Sequence, residues 1–360
     1  LTPLSTGKDL LVAIALVGLG LVLVLVAVLD VVWTAAAAGS GSGPLSGRIS
    51  AWLWRMALAV GRAPDGPRHR FLTVAGISLV VVIVLVWALS AWVGWWLIFS
   101  GTDGAVVGAD SGEPATSMER LQFAGASLFT LGGSAVEAGS GGWQFAAIGA
   151  TATGVVFVTL AISYFVPVAS ALAERRQLGA YISSLGGTPE QVVCRSWTGD
   201  SLRGLDQHLV AITPMVHGLA ERHLTYPVLQ YFHSGRDRTS TALSLAVLDD
   251  ALTLLGKGVA PEARPEAVVL DPLVQAIGWY LDTVEDAFVS DAPKPLPHPD
   301  LDALRRAGIP TVDDEDFEKA LSDAGRRRCQ LAKLLVDDGW LPEAWERRRR
   351  GGLAATPAHS

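Results

Sequence analysis

Residues 118–137 read Met118-Glu119-Arg120-Leu121-Gln122-Phe123-Ala124-Gly125-Ala126-Ser127-Leu128-Phe129-Thr130-Leu131-Gly132-Gly133-Ser134-Ala135-Val136-Glu137. The segment is too short to span a bilayer. It is rich in apolar and small residues up to Leu131, then breaks into glycine and serine. On either side lies a long uncharged run, Phe71 to Thr102 and Ala138 to Ala173. A short helix followed by glycine-rich extended backbone, held between two spans, is the pattern of a re-entrant loop. Irregular backbone survives at membrane depth only where protein buries it or where it lines a watery cavity. The fold reading therefore starts here.

Working outward, Leu10 to Leu29 adds a third uncharged run of twenty residues, about 30 Å as a helix and enough to cross a hydrocarbon core. Half of the 360 residues are hydrophobic and 18% are charged, against roughly a quarter charged in soluble domains. Most of the charge lies beyond Glu174, so a membrane half precedes a soluble half. The net charge of -7 and the lack of a large basic face exclude nucleic acid as a partner. Cys194 and Cys329 form no CxxC, and a reduced interior disfavours a disulfide. The first apolar run is longer than a cleavable signal and has no basic flank.

The connector from Ala37 to Arg70 carries five arginines and one acid, and the one from Asp103 to Glu137 carries one arginine and five acids. Positive-inside logic puts the first in the cytoplasm and the second outside. The N-terminus is then outside and the C-terminal half cytoplasmic, in a multi-pass protein of the cell membrane. Within the first connector, Ile49 to Val60 reads as an amphipathic interfacial helix. Trp92, Trp95, Trp96 and Trp143 suit an outer aromatic belt.

Span, external loop and span together resemble the pore module of the potassium channel superfamily, over roughly Phe71 to Arg176. Phe129-Thr130-Leu131-Gly132-Gly133-Ser134 sits where that family carries Thr-Val-Gly-Tyr-Gly-Asp. Thr130 matches the filter threonine, Leu131 the aliphatic position and Gly132 the first glycine. Gly133 replaces tyrosine, Ser134 the second glycine and Ala135 the aspartate. The resemblance implies a selectivity filter at Thr130, Leu131, Gly132, Gly133 and Ser134, within a homotetramer passing monovalent cations such as potassium. In such a site backbone carbonyls replace the ion's hydration shell, and a helix from about Thr116 to Phe129 turns its negative C-terminal end toward the ion. Glu137 is a candidate acidic ring at the outer mouth. Gly154 and Pro167 are candidate gate hinges, since proline removes a backbone bond and bends a helix. The departures leave a less selective path, or a non-conducting relative, open.

Beyond Gln177 the apolar spacing is helical over Leu202–Leu224, Thr239–Leu255, Pro265–Val284 and Leu321–Val336. Thr188-Pro189-Glu190 reads as an N-cap with proline at the first helical position. Asp291 to Pro299, with four prolines, reads as a strap. Gly199-Asp200-Ser201-Leu202 spells an esterase signature without its strand or its Asp-x-x-His partner. His208, His217, His223 and His233 form no i,i+4 metal pair, and Lys257 lacks phosphate-loop spacing. The acidic run Asp313–Asp316 and the basic run Arg347–Arg350 read as solvated charge. No metal, cofactor or enzymatic activity is expected.

The expected fold is an all-α membrane protein: a first transmembrane helix (1–36), a cytosolic linker with its interfacial helix (37–70), a pore module with re-entrant helix and loop (71–176), and a cytosolic α-helical domain (177–360). The expected function is a cation channel with a cytosolic regulatory domain. The alternative is a non-conducting, membrane-anchored signalling or scaffold protein.

Overall fold

The computed structural model describes residues 7–36, 43–60, 68–132, 135–285, 295–322, 325–340 and 345–346. Among the described residues, three helices are long and apolar enough to cross a membrane: α1 (Gly7–Ala36), α3 (Arg68–Phe99) and α5 (Gly142–Leu185). α1 and α3 are apolar on every side, as a helix bathed in lipid and packed on other helices must be. Between α1 and α3 lies α2 (Pro44–Val60). Between α3 and α5 come a 3₁₀ turn (Asp103–Ala105), strand β1 (Val106–Gly108), helix α4 (Ser117–Leu128) and strand β2 (Val136–Ala138). The chain divides into two compact units, 1–50 with 78–167, and 51–77 with 168–360.

In the first unit α1 packs against α3 through small residues. A Cβ on Gly20 would lie 2.5 Å from the Gly94 carbonyl oxygen, and one on Gly94 would lie 2.9 Å from that of Gly20. Such close approach substitutes for the hydrophobic drive that lipid removes between helices. Further along the pair, the buried Asp30 of α1 accepts from the indole of Trp87 at 2.8 Å and from the amide of Leu45 at 2.8 Å. The carboxylate thereby caps the start of α2, where unpaired N–H groups and the positive end of the dipole favour an anion.

β1 and β2 pair antiparallel, Val106 opposite Ala138, Val107 opposite Glu137 and Gly108 opposite Val136. The sequence carries no readable signal for this pairing, because three residues are too few to display an alternation. Val136 is buried and Glu137 exposed, the ordinary two-residue period of a strand with one covered face.

The second unit is helical: α6 (Pro189–Arg195), α7 (Asp206–Thr225), α8 (Thr241–Thr253), α9 (Ala267–Glu285), α10 (Asp302–Arg306), α11 (Asp314–Ser322) and α12 (Gly325–Asp337). Thr188 caps α6, its hydroxyl accepting from the Gln191 amide at 3.2 Å, with Pro189 next, as the sequence predicts. α7 begins at Asp206, after a turn at Arg203–Leu205, and α8 passes into a π turn at Leu254–Gly258. Every residue of α8 is buried, so this helix is the axis of the unit. That includes Asp249 and Asp250, which meet Arg327 (2.8 Å) and Arg328 of α12. Of the proline-rich strap, 295–299 is irregular backbone and the rest lies outside the described residues.

The unit divisions fall at 50, 77 and 167, within α2, α3 and α5. The cause is packing: the start of α3 lies on the segment that follows α7, with the Thr73 hydroxyl donating to the His233 carbonyl at 3.4 Å and Gly76 admitting the Tyr231 carbonyl.

Candidate functional site

Helix α4 begins with a capping box. The Thr116 hydroxyl accepts from the Glu119 amide at 3.3 Å, while the Glu119 carboxylate accepts from the Thr116 amide at 2.7 Å and from its hydroxyl at 2.8 Å. These bonds from the Thr116 backbone, and then from its side chain, hold the Glu119 carboxyl below the usual carboxylate range. One turn in, the largely buried Arg120 pairs with Asp103 at 3.0 Å and ties α4 to the segment that follows α3.

Two tryptophans fix the line that α4 follows. The Trp96 indole donates to the Ser117 carbonyl at 3.2 Å, and the Trp92 indole to the Leu121 carbonyl at 2.9 Å. Farther along, the Trp92 ring covers Gly125, where a Cβ would sit 2.9 Å from the indole nitrogen, and meets Phe129 edge-on at 6.2 Å. α4 thus runs backward along α3 from near its end. Its last turn reaches α5 at Gly154, twelve positions beyond Gly142, where any Cβ would run into the Leu128 carbonyl oxygen. At about 1.5 Å per residue that contact is roughly 18 Å along α5. By Val136 the chain is back beside β1. Two of the tryptophans that read as an interfacial belt therefore hold α4 in place.

α4 ends in a Schellman motif: the Leu131 amide donates to the Ala126 carbonyl at 2.9 Å and the Thr130 amide to that of Ser127 at 3.3 Å. This demands left-handed backbone at Thr130, whose φ is +56°, the one non-glycine residue so placed among those described. A β-branched residue pays more there than almost any other. Gly132 also has a positive φ, +63°, which glycine takes freely. Thr130 and Leu131 are exposed.

Of the residues singled out in sequence, Thr130, Leu131 and Gly132 follow the C-terminal end of α4, and Gly154 meets its last turn at Leu128. Gly133 and Ser134 lie outside the described residues. Glu137 sits apart from that end, exposed on β2. Gly154 needs to be glycine for the approach of Leu128, which gives a packing reason for a residue read as a hinge. Pro167 lies inside the continuous α5, at the division between the two units. Sequence reasoning missed Arg120, Trp92 and Trp96 as supports of α4; the spacing of four between the tryptophans, one helical turn, is the signal that could have found them.

The remaining motifs carry no constellation. Ser201 accepts from the Arg203 amide at 3.1 Å in a turn with Gly199 at φ +102°. No cluster of metal-ligating side chains occurs among the described residues. Lys257 lies in the π turn, and the arginine run 347–350 lies outside the described residues.

No family model matches the chain, and no solved structure does. The chain is 31% identical, over 293 residues, to the uncharacterized membrane protein YdjJ of Bacillus subtilis (strain 168), an alignment covering 81% of this chain and 85% of the relative. With the membrane-protein relative and three apolar helices of spanning length, the chain is a membrane protein, and it belongs to the family of Bacillus subtilis YdjJ.

Proposed function

We propose that the protein conducts monovalent cations through a homotetrameric pathway built from α3, α4 and α5. In this reading α4 is a pore helix, residues 130–134 form the narrow part of the path, and the second unit is a cytoplasmic regulatory domain. The observation that carries it is the course of α4. This helix enters alongside α3, reaches a point about 18 Å along α5, and the chain returns to pair β2 with β1. Laid against a hydrocarbon core, that course is a re-entrant one. The C-terminal end of the α4 dipole, carrying partial negative charge, then favours a cation at the point where the left-handed Thr130 and Gly132 turn the backbone. The arginine bias of the first connector supports an outside N-terminus and a cytoplasmic second unit.

A second reading, a non-conducting membrane-anchored scaffold, is favoured by the closed end of α4. There the carbonyls of Gly125, Ala126 and Ser127 accept from capping amides. Cation flux from liposomes separates the two. Conduction predicts flux by the purified protein that Gly132→Leu abolishes, because φ +63° strains any side chain. Absence of flux across the alkali cations would leave the scaffold.

A further inference from the structure

The second unit contains a cavity of about 30 Å³ whose lining includes Trp54, Arg175 of α5, His223 of α7, Tyr280 of α9 and Asp338 after α12. A water needs roughly 10–15 Å³ of such space, so the cavity is of the size of one small ion or two to three waters. Two carboxylates, Asp337 and Asp338, also line it, while Arg175, His223 and Tyr280 bring hydrogen-bond donors to it. Arg175 donates to the carbonyls of Leu229 (2.7 Å) and Phe232 (3.2 Å) and to Asp338 Oδ1 (2.6 Å). A guanidinium has five N–H donors, so two are left over. His223 is buried, and its Nε2 has no hydrogen-bond partner among the described residues. Burial, and then the Arg175 charge, push its pKa down to about 4. It therefore stays neutral near pH 7, with one ring nitrogen free to donate as N–H. Tyr280 is buried edge-on to His223, ring centroids 6.4 Å apart, and can donate its hydroxyl.

The single carboxylate paired with Arg175 does not use up this donor set. Asp338 Oδ1 is taken by Arg175, and its Oδ2 accepts from the Trp340 indole at 3.1 Å. A desolvated guanidinium with spare donors, flanked by two neutral donors and walled by indole and aliphatic side chains, has the chemistry of an anion site.

We propose that this cavity binds one small monovalent anion, of the size of chloride or formate, held by Arg175, His223 Nε2 and the Tyr280 hydroxyl. Such an ion would brace the base of α5 against α7, α9 and the segment after α12, all parts of one compact unit. The site does not depend on conduction by the membrane half. Halide and small carboxylate are distinguished by which of the two anions titrates the site at the lower concentration.

The test is thermal unfolding of the full chain in detergent, titrated with sodium chloride or sodium formate at an ionic strength held constant with gluconate, which is too large for the cavity. The expected result is a saturable rise in midpoint with either anion and, in His223→Leu or Tyr280→Phe, a titration midpoint moved at least about tenfold upward, as expected when one buried hydrogen bond to a charge is lost. Tyr280→Phe keeps the shape of the cavity, and both variants leave Arg175 and Asp338 paired, so the protein remains folded for comparison. A midpoint that ignores both anions, or a titration unchanged in both variants, would overturn the proposal and leave a hydration cavity only.

Discussion

At the scale of single residues, two positions stand out for what they oppose. Thr130 holds left-handed backbone without being glycine, a conformation that costs an ordinary residue roughly 1–2 kcal/mol. Thr130→Gly is expected to raise unfolding stability by about 1 kcal/mol, measured by denaturant titration in micelles. If it also lowers cation flux, the strain is held for function rather than by accident. His223 is the second such residue. Its folded pKa, about 4, lies below the 6.5 of the free side chain, so the folded state binds fewer protons than the unfolded one between those values. Its contribution to stability is complete above about pH 6.5 and is lost as pH falls toward 4, to a total of roughly 3 kcal/mol. His223→Gln should flatten that part of the pH–stability curve, and an unchanged slope there would assign it to other groups.

At the scale of elements, the seat of α4 and the core of the second unit respond to opposite kinds of substitution. α4 is held by indole-to-carbonyl bonds and by the close approach at Gly154. Gly154→Leu drives a side chain into the Leu128 carbonyl and should unseat α4 altogether, read as faster proteolysis within 103–141. In the second unit, Arg328 and Asp250 are both buried and paired, and Arg328 also donates to the Leu296 carbonyl at 3.0 Å. Arg328→Met alone leaves a buried carboxylate without this partner and should cost about 3–5 kcal/mol. The double variant with Asp250→Leu should recover most of that loss, because two apolar side chains have no desolvation penalty. Recovery of less than half would mean that the bonds of Arg328 to the strap matter more than the ion pair.

These elements also show what a sequence can and cannot reveal. The three spans follow from uninterrupted apolar runs, and α4 from Thr116 and Glu119 at one end and glycines at the other. All of these are local signals, and α4 starts one residue after its cap as expected. The Thr188–Pro189 start of α6 is legible for the same reason. The β1–β2 pairing is not legible, because its strands are short and far apart in the chain. Nor are the roles of Trp92 and Trp96: an interfacial tryptophan and one that clasps a neighbouring helix look alike until the partner is known. The left-handed Thr130 is hidden too. The glycines at 132 and 133 suggest the turn lies there, whereas α4 closes earlier.

At the scale of the whole molecule, a membrane unit and a helical unit share α2, α3 and α5, since each of these helices contributes residues to both units. A regulatory reading of the second unit needs such continuity. Pro167, at the division within α5, is where a bend would act, because its ring removes a backbone N–H from the helix. The central claim is that residues 130–134 line a cation path. Its most direct test is alkali-cation flux in liposomes by a Thr130→Cys variant that also carries Cys194→Ser and Cys329→Ser, before and after a membrane-impermeant, charged thiol reagent. The account predicts flux that the reagent blocks, while Phe145→Cys on the exposed face of α5 is labelled without block. Flux that persists after the thiol introduced at position 130 is fully labelled would contradict it.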